Sequence, residues 1–281
     1  MTETPAALDP IIIREALAYA GATTFDRRAL PLADLLACGV ETVLIHAADF
    51  EPPLETEVAV AGGRAEELAA GLEAVMALTG AHSAVVAIAE RNPWALERVC
   101  GVFERVSRAG IEVVAVSDRA SSGDTIPISG DRNRVMSPQL ALTAQEVLAV
   151  AEAIRGRKLT HRAITIWGEV RSPRVLRVPL GTRFADLAAM AGGASVRRFV
   201  WVEGGILRGR VVRNADETVT VATEGVGVLP AEHPLLRRLE TPVEFHRHRA
   251  LSACMNCSAC TDVCPPHLLG ELFKMVTGAP I

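Results

Sequence analysis

The chain has 281 residues, 49% of them apolar, with a net charge of −4 and an isoelectric point near 6.0. That is enough apolar material for one large domain or two to three smaller ones, and the lack of a basic face argues against nucleic acid as a partner. Aromatic residues make up only 4%, which suits helices packed on a buried sheet better than an aromatic-rich sandwich.

The first residues, MTETPAALDP, are acidic and proline-containing, with neither a basic n-region nor an apolar h-region. No apolar run reaches the roughly 20 residues of a membrane span. The expectation is a soluble cytoplasmic protein without a transmembrane segment. IIIREALAYA has helical apolar spacing and PLADLLACGV is short and helix-like. ETVLIHAAD is an apolar run of strand length rich in β-branched residues. RAEELAAGLEAVMALTG reads as an amphipathic helix ending at Gly80. SAVVAIAE is a buried strand, NPWALERVCGVFERVSRAG a helix from an Asn–Pro start to Gly110, and IEVVAVSD a third strand. Strands alternating with helices in this way predict βαβ units and a parallel sheet.

ASSGDTIPISGDRNRVMSP then reads as a loop, and LTAQEVLAVAEAIRGRK as a helix with Thr143 as cap and Glu146 at capping-box spacing. From residue 163 the composition shifts to short strands and Gly-Pro turns around one brief helix, TRFADLAAMAGG. From Pro234 onward the chain is helical and basic. Arg237, Arg238, Arg247 and Arg249 are interleaved with acids and histidines, the pattern of a solvated face or of a docking surface for an acidic redox partner. Cys38 and Cys100 sit in apolar contexts and are expected to be small buried residues. Trp94, Trp167 and Trp201 are expected as core anchors, and His46 as a core or strand-edge residue.

Cys254, Cys257, Cys260 and Cys264-Pro265 form a C-x2-C-x2-C-x3-C-P run, the spacing of bacterial ferredoxins. Soft thiolates at this spacing wrap an iron–sulfide cube within one tight loop. Structural zinc, the main competitor, usually has two ligand pairs split by a long spacer. A [4Fe–4S] cluster is therefore expected, with Cys254, Cys257, Cys260 and Cys264 as metal ligands. Three arrangements are open for Cys264, because in two-cluster ferredoxins the fourth cysteine serves the other cluster. It can close its own cluster, reach a cluster on a second chain, or hold no iron; the first is favoured. His246, His248 and His267 flank the motif, with His267 the best placed for an alternative ligand.

The context RALSACMNCSACTDVCPPHLLGELF resembles the RnfC component of the Rnf electron-transport complex. It resembles still more the propanediol-utilisation proteins described as cobalamin reductases, as does GVGVLPAEHPLLRR ahead of it. ITIWGEVRSPRVLRVPLGTRFADLAAMAGG is similar to the family's soluble-ligand-binding β-grasp (SLBB) domain. The stretch from VETVLIHAADFEPP to ALTGA resembles the flavin/NADH domain shared with the flavin-bearing subunit of respiratory complex I. The resemblance implies an α/β fold: a Rossmann-like parallel-sheet domain at 1–160, a β-grasp domain at 161–233, and a helical ferredoxin-type tail at 234–281. It also implies FMN, with Asp49 and Glu51 after the first strand and Gly21 in the loop ahead of it as flavin/NADH-binding residues. Against FMN, the family's glycine-rich loop is replaced by Gly21-Ala-Thr-Thr-Phe25-Asp26, with most glycines gone and an acid added. Its asparagine-bearing helix start is replaced by Leu140-Ala-Leu-Thr143.

The expected function is transfer of single electrons between a reduced donor, of NADH/flavin or ferredoxin type, and a partner redox enzyme. The chain would work in a homo- or hetero-oligomer, either free in the cytoplasm, peripheral to a membrane complex, or within a microcompartment. One alternative is an FMN-dependent NAD(P)H dehydrogenase of the cobalamin-reductase kind. The other is a non-redox scaffold that binds a partner or small ligand through the β-grasp domain.

Overall fold

A parallel sheet needs its crossover helices to cover both faces, and the first half of the chain supplies them. The computed structural model describes residues 9–49, 51–106, 110–116, 126–127, 135–136, 140–214, 216–255 and 257. Helix α1 (Pro10–Ala20) starts on an Asp9 cap that accepts the Ile11 amide at 2.9 Å, and it stops at Gly21 in the left-handed conformation. After a four-residue α2 (Leu32–Leu35) come β1 (Thr42–Ala47), α3 (Thr56–Gly63), α4 (Ala65–Thr79), β2 (Ser83–Ala89), α5 (Pro93–Val106) and β3 (Ile111–Val116). A two-residue pair, β4 (Ile126–Pro127) and β5 (Val135–Met136), lies in the long connection that follows. β6 (Leu140–Thr143) leads directly into α6 (Ala144–Ile154), where the expected capping box is present. Among the described residues the sheet order is β3-β2-β1-β6, all parallel.

The chain leaves β1 toward β2 and β3, then crosses over to place β6 on β1's other flank. The two halves of the sheet therefore diverge between β1 and β6. Such a switch point opens a crevice beyond the strand ends.

The second sheet contains β7 (His161–Gly168), β8 (Arg174–Pro179), β9 (Phe199–Glu203), β10 (Arg210–Val212) and β11 (Gly225–Pro230), in the order β10-β9-β11-β7-β8. β11 runs parallel to β7 and the other pairs are antiparallel, as a β-grasp requires. Alternation along β7 sends Ile164 and Ile166 to a core capped by Phe184 and Leu187 of α7 (Phe184–Met190). Trp167 faces the other way, toward Leu54 and Leu236 of α8 (Pro234–Glu240). α9 (Val243–Ala253) follows with no buried residue. No helix among the described residues is long and apolar enough to cross a membrane.

Several local expectations are corrected. Cys38 is exposed, its thiol donating to the Leu35 carbonyl at 2.8 Å, because α2 ends just before it. Trp94 is 51% exposed; it lies on the first turn of α5 with its ring against Gly62 instead of in the core. Trp167 and Trp201 are buried as expected. β6 was not anticipated as a strand. It is only four residues long, and its pairing with β1 rather than any alternation of its own makes it one.

Gly71 of α4 and Gly101 of α5 test this packing. A Cβ on Gly71 would strike the Val147 carbonyl of α6, whereas one on Gly101 meets only the end of Arg105 at 3.8 Å. Gly71→Ala is expected to destabilise the protein by about 1–3 kcal/mol through overpacking. Gly101→Ala should stabilise it by about 0.5–1 kcal/mol through helix propensity alone. Urea denaturation midpoints of the two variants check the contrast.

Candidate functional site

The crevice at the β1/β6 switch point has a volume of about 540 Å³ and is lined by six carboxyl groups: Asp26, Asp49, Glu51, Glu57, Glu146 and Glu224. Three arginines, Arg28, Arg162 and Arg208, share the lining. Asp49 and Glu51 follow β1 and enter from its end. Their carboxylates are already engaged with the protein.

Asp49 is buried, and its two oxygens accept the amides of Glu57 and Val58 at 3.1 Å each, at the start of α3. Burial raises its carboxyl to about 6, against the pull of those amides and of Arg91. Glu51, 3% exposed, reaches across to the turn between β9 and β10. It accepts the Leu207 amide at 2.6 Å, the Arg208 amide at 2.8 Å and Arg208 Nε at 3.1 Å. A Cβ on Gly205 would lie 2.6 Å from Glu51 Cγ, so the turn needs glycine there.

A second set of bonds joins the two sheets. Gln145, next to the cap of α6, donates its backbone and side-chain N–H groups to Glu57 at 3.0 and 2.8 Å and accepts the Ala163 amide of β7 at 2.9 Å. Thr165 Oγ1 accepts the Glu55 amide at 3.0 Å and pairs with Thr56 Oγ1 at 2.6 Å. Burial, and then the nearby Asp49 charge, push Glu57 up to about 8. Arg162 is buried against the Phe25 ring, 4.6 Å from its centroid, with Glu57, Glu224 and Glu146 as the nearest opposing charges.

Gly21 is the C-cap of α1, its amide donating to Ala18 at 3.2 Å, and a Cβ there would meet nothing within 4 Å. In the loop that follows, the Thr24 amide donates to the Leu30 carbonyl at 2.8 Å and the Leu30 amide to Thr24 Oγ1 at 2.9 Å. The Arg28 and Ala29 amides both donate to Asp26 Oδ1 at 3.0 Å. The Phe25 amide donates to Glu146 Oε1 at 2.7 Å, while Glu146 Oε2 accepts the Thr143 amide at 2.8 Å to complete the capping box. Burial raises the Glu146 carboxyl. Sequence reasoning singled out Glu146 only as a cap and missed Glu57, Gln145, Thr165 and Arg162. The one local signal was polar residues at strand and helix ends.

The second candidate site lies at the end of α9. Cys254 is the C-cap of that helix, its amide donating to Leu251 at 3.4 Å, and Cys257 follows; both are exposed. Exposed soft donors three residues apart just past a helix end fit the start of a cluster-binding loop. Cys260, Cys264 and His267 lie outside the described residues. His246 and His248 are on α9 and exposed, and among the described residues no group of three metal-binding side chains converges.

The SLBB domain family matches residues 163–199, within the second sheet. Across 92% of its length the chain is 31% identical to cobalamin reductase PduS of Salmonella typhimurium, covering 59% of that protein. It is 24% identical to the RnfC-type component of the proton-translocating ferredoxin:NAD(+) oxidoreductase complex of Clostridium ljungdahlii, over 84% of this chain and 51% of that one. The chain is thus similar in sequence to proteins of the PduS and RnfC kind. It spans roughly half to three fifths of the length of these relatives. An NAD+-reducing [NiFe]-hydrogenase chain superposes with a TM-score of 0.66 at 17% identity, over 98% of this chain and 56% of that one, so the two share a fold.

Two outcomes follow from the crevice. Removing Glu51 takes the charged acceptor from two amides of a partly buried turn, those of Leu207 and Arg208. Glu51→Ala is therefore expected to cost about 2–3 kcal/mol, whereas Arg208→Ala, at the 77% exposed end of the pair, costs less than about 1 kcal/mol; thermal unfolding of both measures this. The second concerns pH. With Glu57 raised from 4.5 to about 8, the folded state keeps a proton that the unfolded chain loses within that window. Stability therefore falls as pH rises across it, and Asp49 adds the same sign up to about 6. Denaturation midpoints from pH 5 to 8 should decline in the native protein, and Glu57→Gln should flatten the decline.

Proposed function

We propose that this chain is an iron–sulfur electron-transfer protein or subunit in which one [4Fe–4S] cluster is held by Cys254, Cys257, Cys260 and Cys264. The observation that carries the reading is the ferredoxin-type spacing of these cysteines, which starts at the exposed Cys254 and Cys257 past the end of α9. The similarity to a cobalamin reductase and to a component of an oxidoreductase complex supports it.

When bound, the cluster supplies a one-electron redox centre. Around it, the chain's own residues would tune the potential through solvent exposure and through backbone hydrogen bonds to the sulfurs. The small residues Ser258 and Ala259 between the thiolates leave room for that approach. The chain would pass electrons between a reduced donor and a partner redox enzyme, in the cytoplasm and as part of an oligomer. Its domain limits are 1–160, 161–233 and 234–281. The similarity to PduS also favours a second reading, an FMN-dependent enzyme with Asp49, Glu51 and Gly21 at the flavin.

Anaerobically purified protein is expected to be brown, with about four irons per chain and an EPR signal on reduction. Cys254→Ser should lower the iron content by roughly half or more, since ligand binding and loop folding are coupled. Cys38→Ser, outside the motif, should leave it unchanged. Colourless protein holding only zinc would refute the proposal.

A further inference from the structure

The crevice at the β1/β6 switch point is where this fold would seat a flavin, and the loop from Thr24 to Leu30 is where its phosphate would find backbone amides. Five of those amides, on Thr24, Phe25, Arg28, Ala29 and Leu30, already have acceptors within the protein. Three of the five donate to carboxylates: Phe25 to Glu146, and Arg28 and Ala29 to Asp26. The protein has put its own anions where an external anion would bind.

Charge reinforces this. Six carboxyl groups and three arginines line the crevice. Arg208 is committed to Glu51, and Arg162 lies under Phe25 with Glu57, Glu224 and Glu146 as its nearest opposing charges. A phosphate dianion would have to displace Glu146 from the Phe25 amide and then sit among acids.

We infer that this crevice does not take a flavin phosphate, so that the chain receives electrons singly from a one-electron carrier protein and not as hydride from NAD(P)H. The inference rests on the iron–sulfur reading above. A hydride delivers two electrons and a proton in one event, leaving NAD(P)+. A single [4Fe–4S] cluster accepts one electron, and with no two-electron acceptor in the crevice the second has nowhere to go. The reaction that supplies this chain is therefore oxidation of a one-electron donor.

The test uses the full chain, purified without oxygen. FMN is titrated into it and followed by quenching of flavin fluorescence. NADH and reduced methyl viologen are then added separately while the cluster's visible absorbance is recorded. No saturable FMN binding, no bleaching by NADH and a partial, one-electron bleaching by the viologen, read after its own absorbance is subtracted, are expected. Saturable stoichiometric binding of FMN, or bleaching by NADH alone, would overturn the inference. If the viologen also fails to bleach the protein, the iron–sulfur reading falls, and the FMN titration still decides the state of the crevice. A further measurement reads the closed loop directly. Hydrogen exchange in the segment 22–30 should be slow in the native chain and faster in Glu146→Ala, and a segment that exchanges fast already in the native chain would also overturn the inference.

Discussion

One carboxylate, Glu146, holds the junction on which the rest of the crevice depends. It caps the start of α6 through the Thr143 amide and pins the loop ahead of β1 through the Phe25 amide. It also lies near the guanidinium of Arg162, which enters from the second sheet. A buried carboxylate is costly unless its oxygens accept hydrogen bonds, and here each oxygen takes one backbone amide. The helix, the loop and the sheet edge are placed relative to one another by satisfying that group.

The same logic extends to the joint between the sheets. Gln145, Thr165, Thr56 and Glu51 make polar contacts that cross from the parallel sheet to the β-grasp. The apolar cores on either side are largely separate, so orientation comes from directional bonds, with one apolar patch around Leu54 and Trp167 beneath. Polar groups serve this role because each has few geometries in which it is satisfied, whereas apolar faces slide. The acids after β1 thus have structural work in this chain.

The proposed electron transfer would ask little of the large α/β scaffold except that it present the cysteine loop to a partner. α9, exposed along its whole length, carries the chain out to Cys254. A cluster bound at Cys254 and Cys257, both exposed, would start near the surface, where short donor–acceptor distances are attainable. In the proposed reading, a crevice occupied by internal carboxylates and an exposed cysteine arm would be two halves of one arrangement, in which electrons would enter and leave by the same tail.

The amino-acid sequence by itself determined the alternation of helices and strands, the capping box at Thr143 and Glu146, the β-grasp landmarks and the cysteine spacing. Each is written in contiguous residues: apolar period, cap chemistry, turn glycines and ligand spacing act over a few positions. Only the tertiary structure decided that Leu140–Thr143 is a strand, since four residues become one by pairing with β1. Only it decided that Trp94 and Cys38 face solvent, that Glu51 clasps a turn 156 residues away, and that Glu146 occupies the Phe25 amide 121 residues before it. These are pairings between distant segments. Whether a carboxylate is free for a ligand depends on which backbone amides the fold brings to it, and no local pattern encodes that.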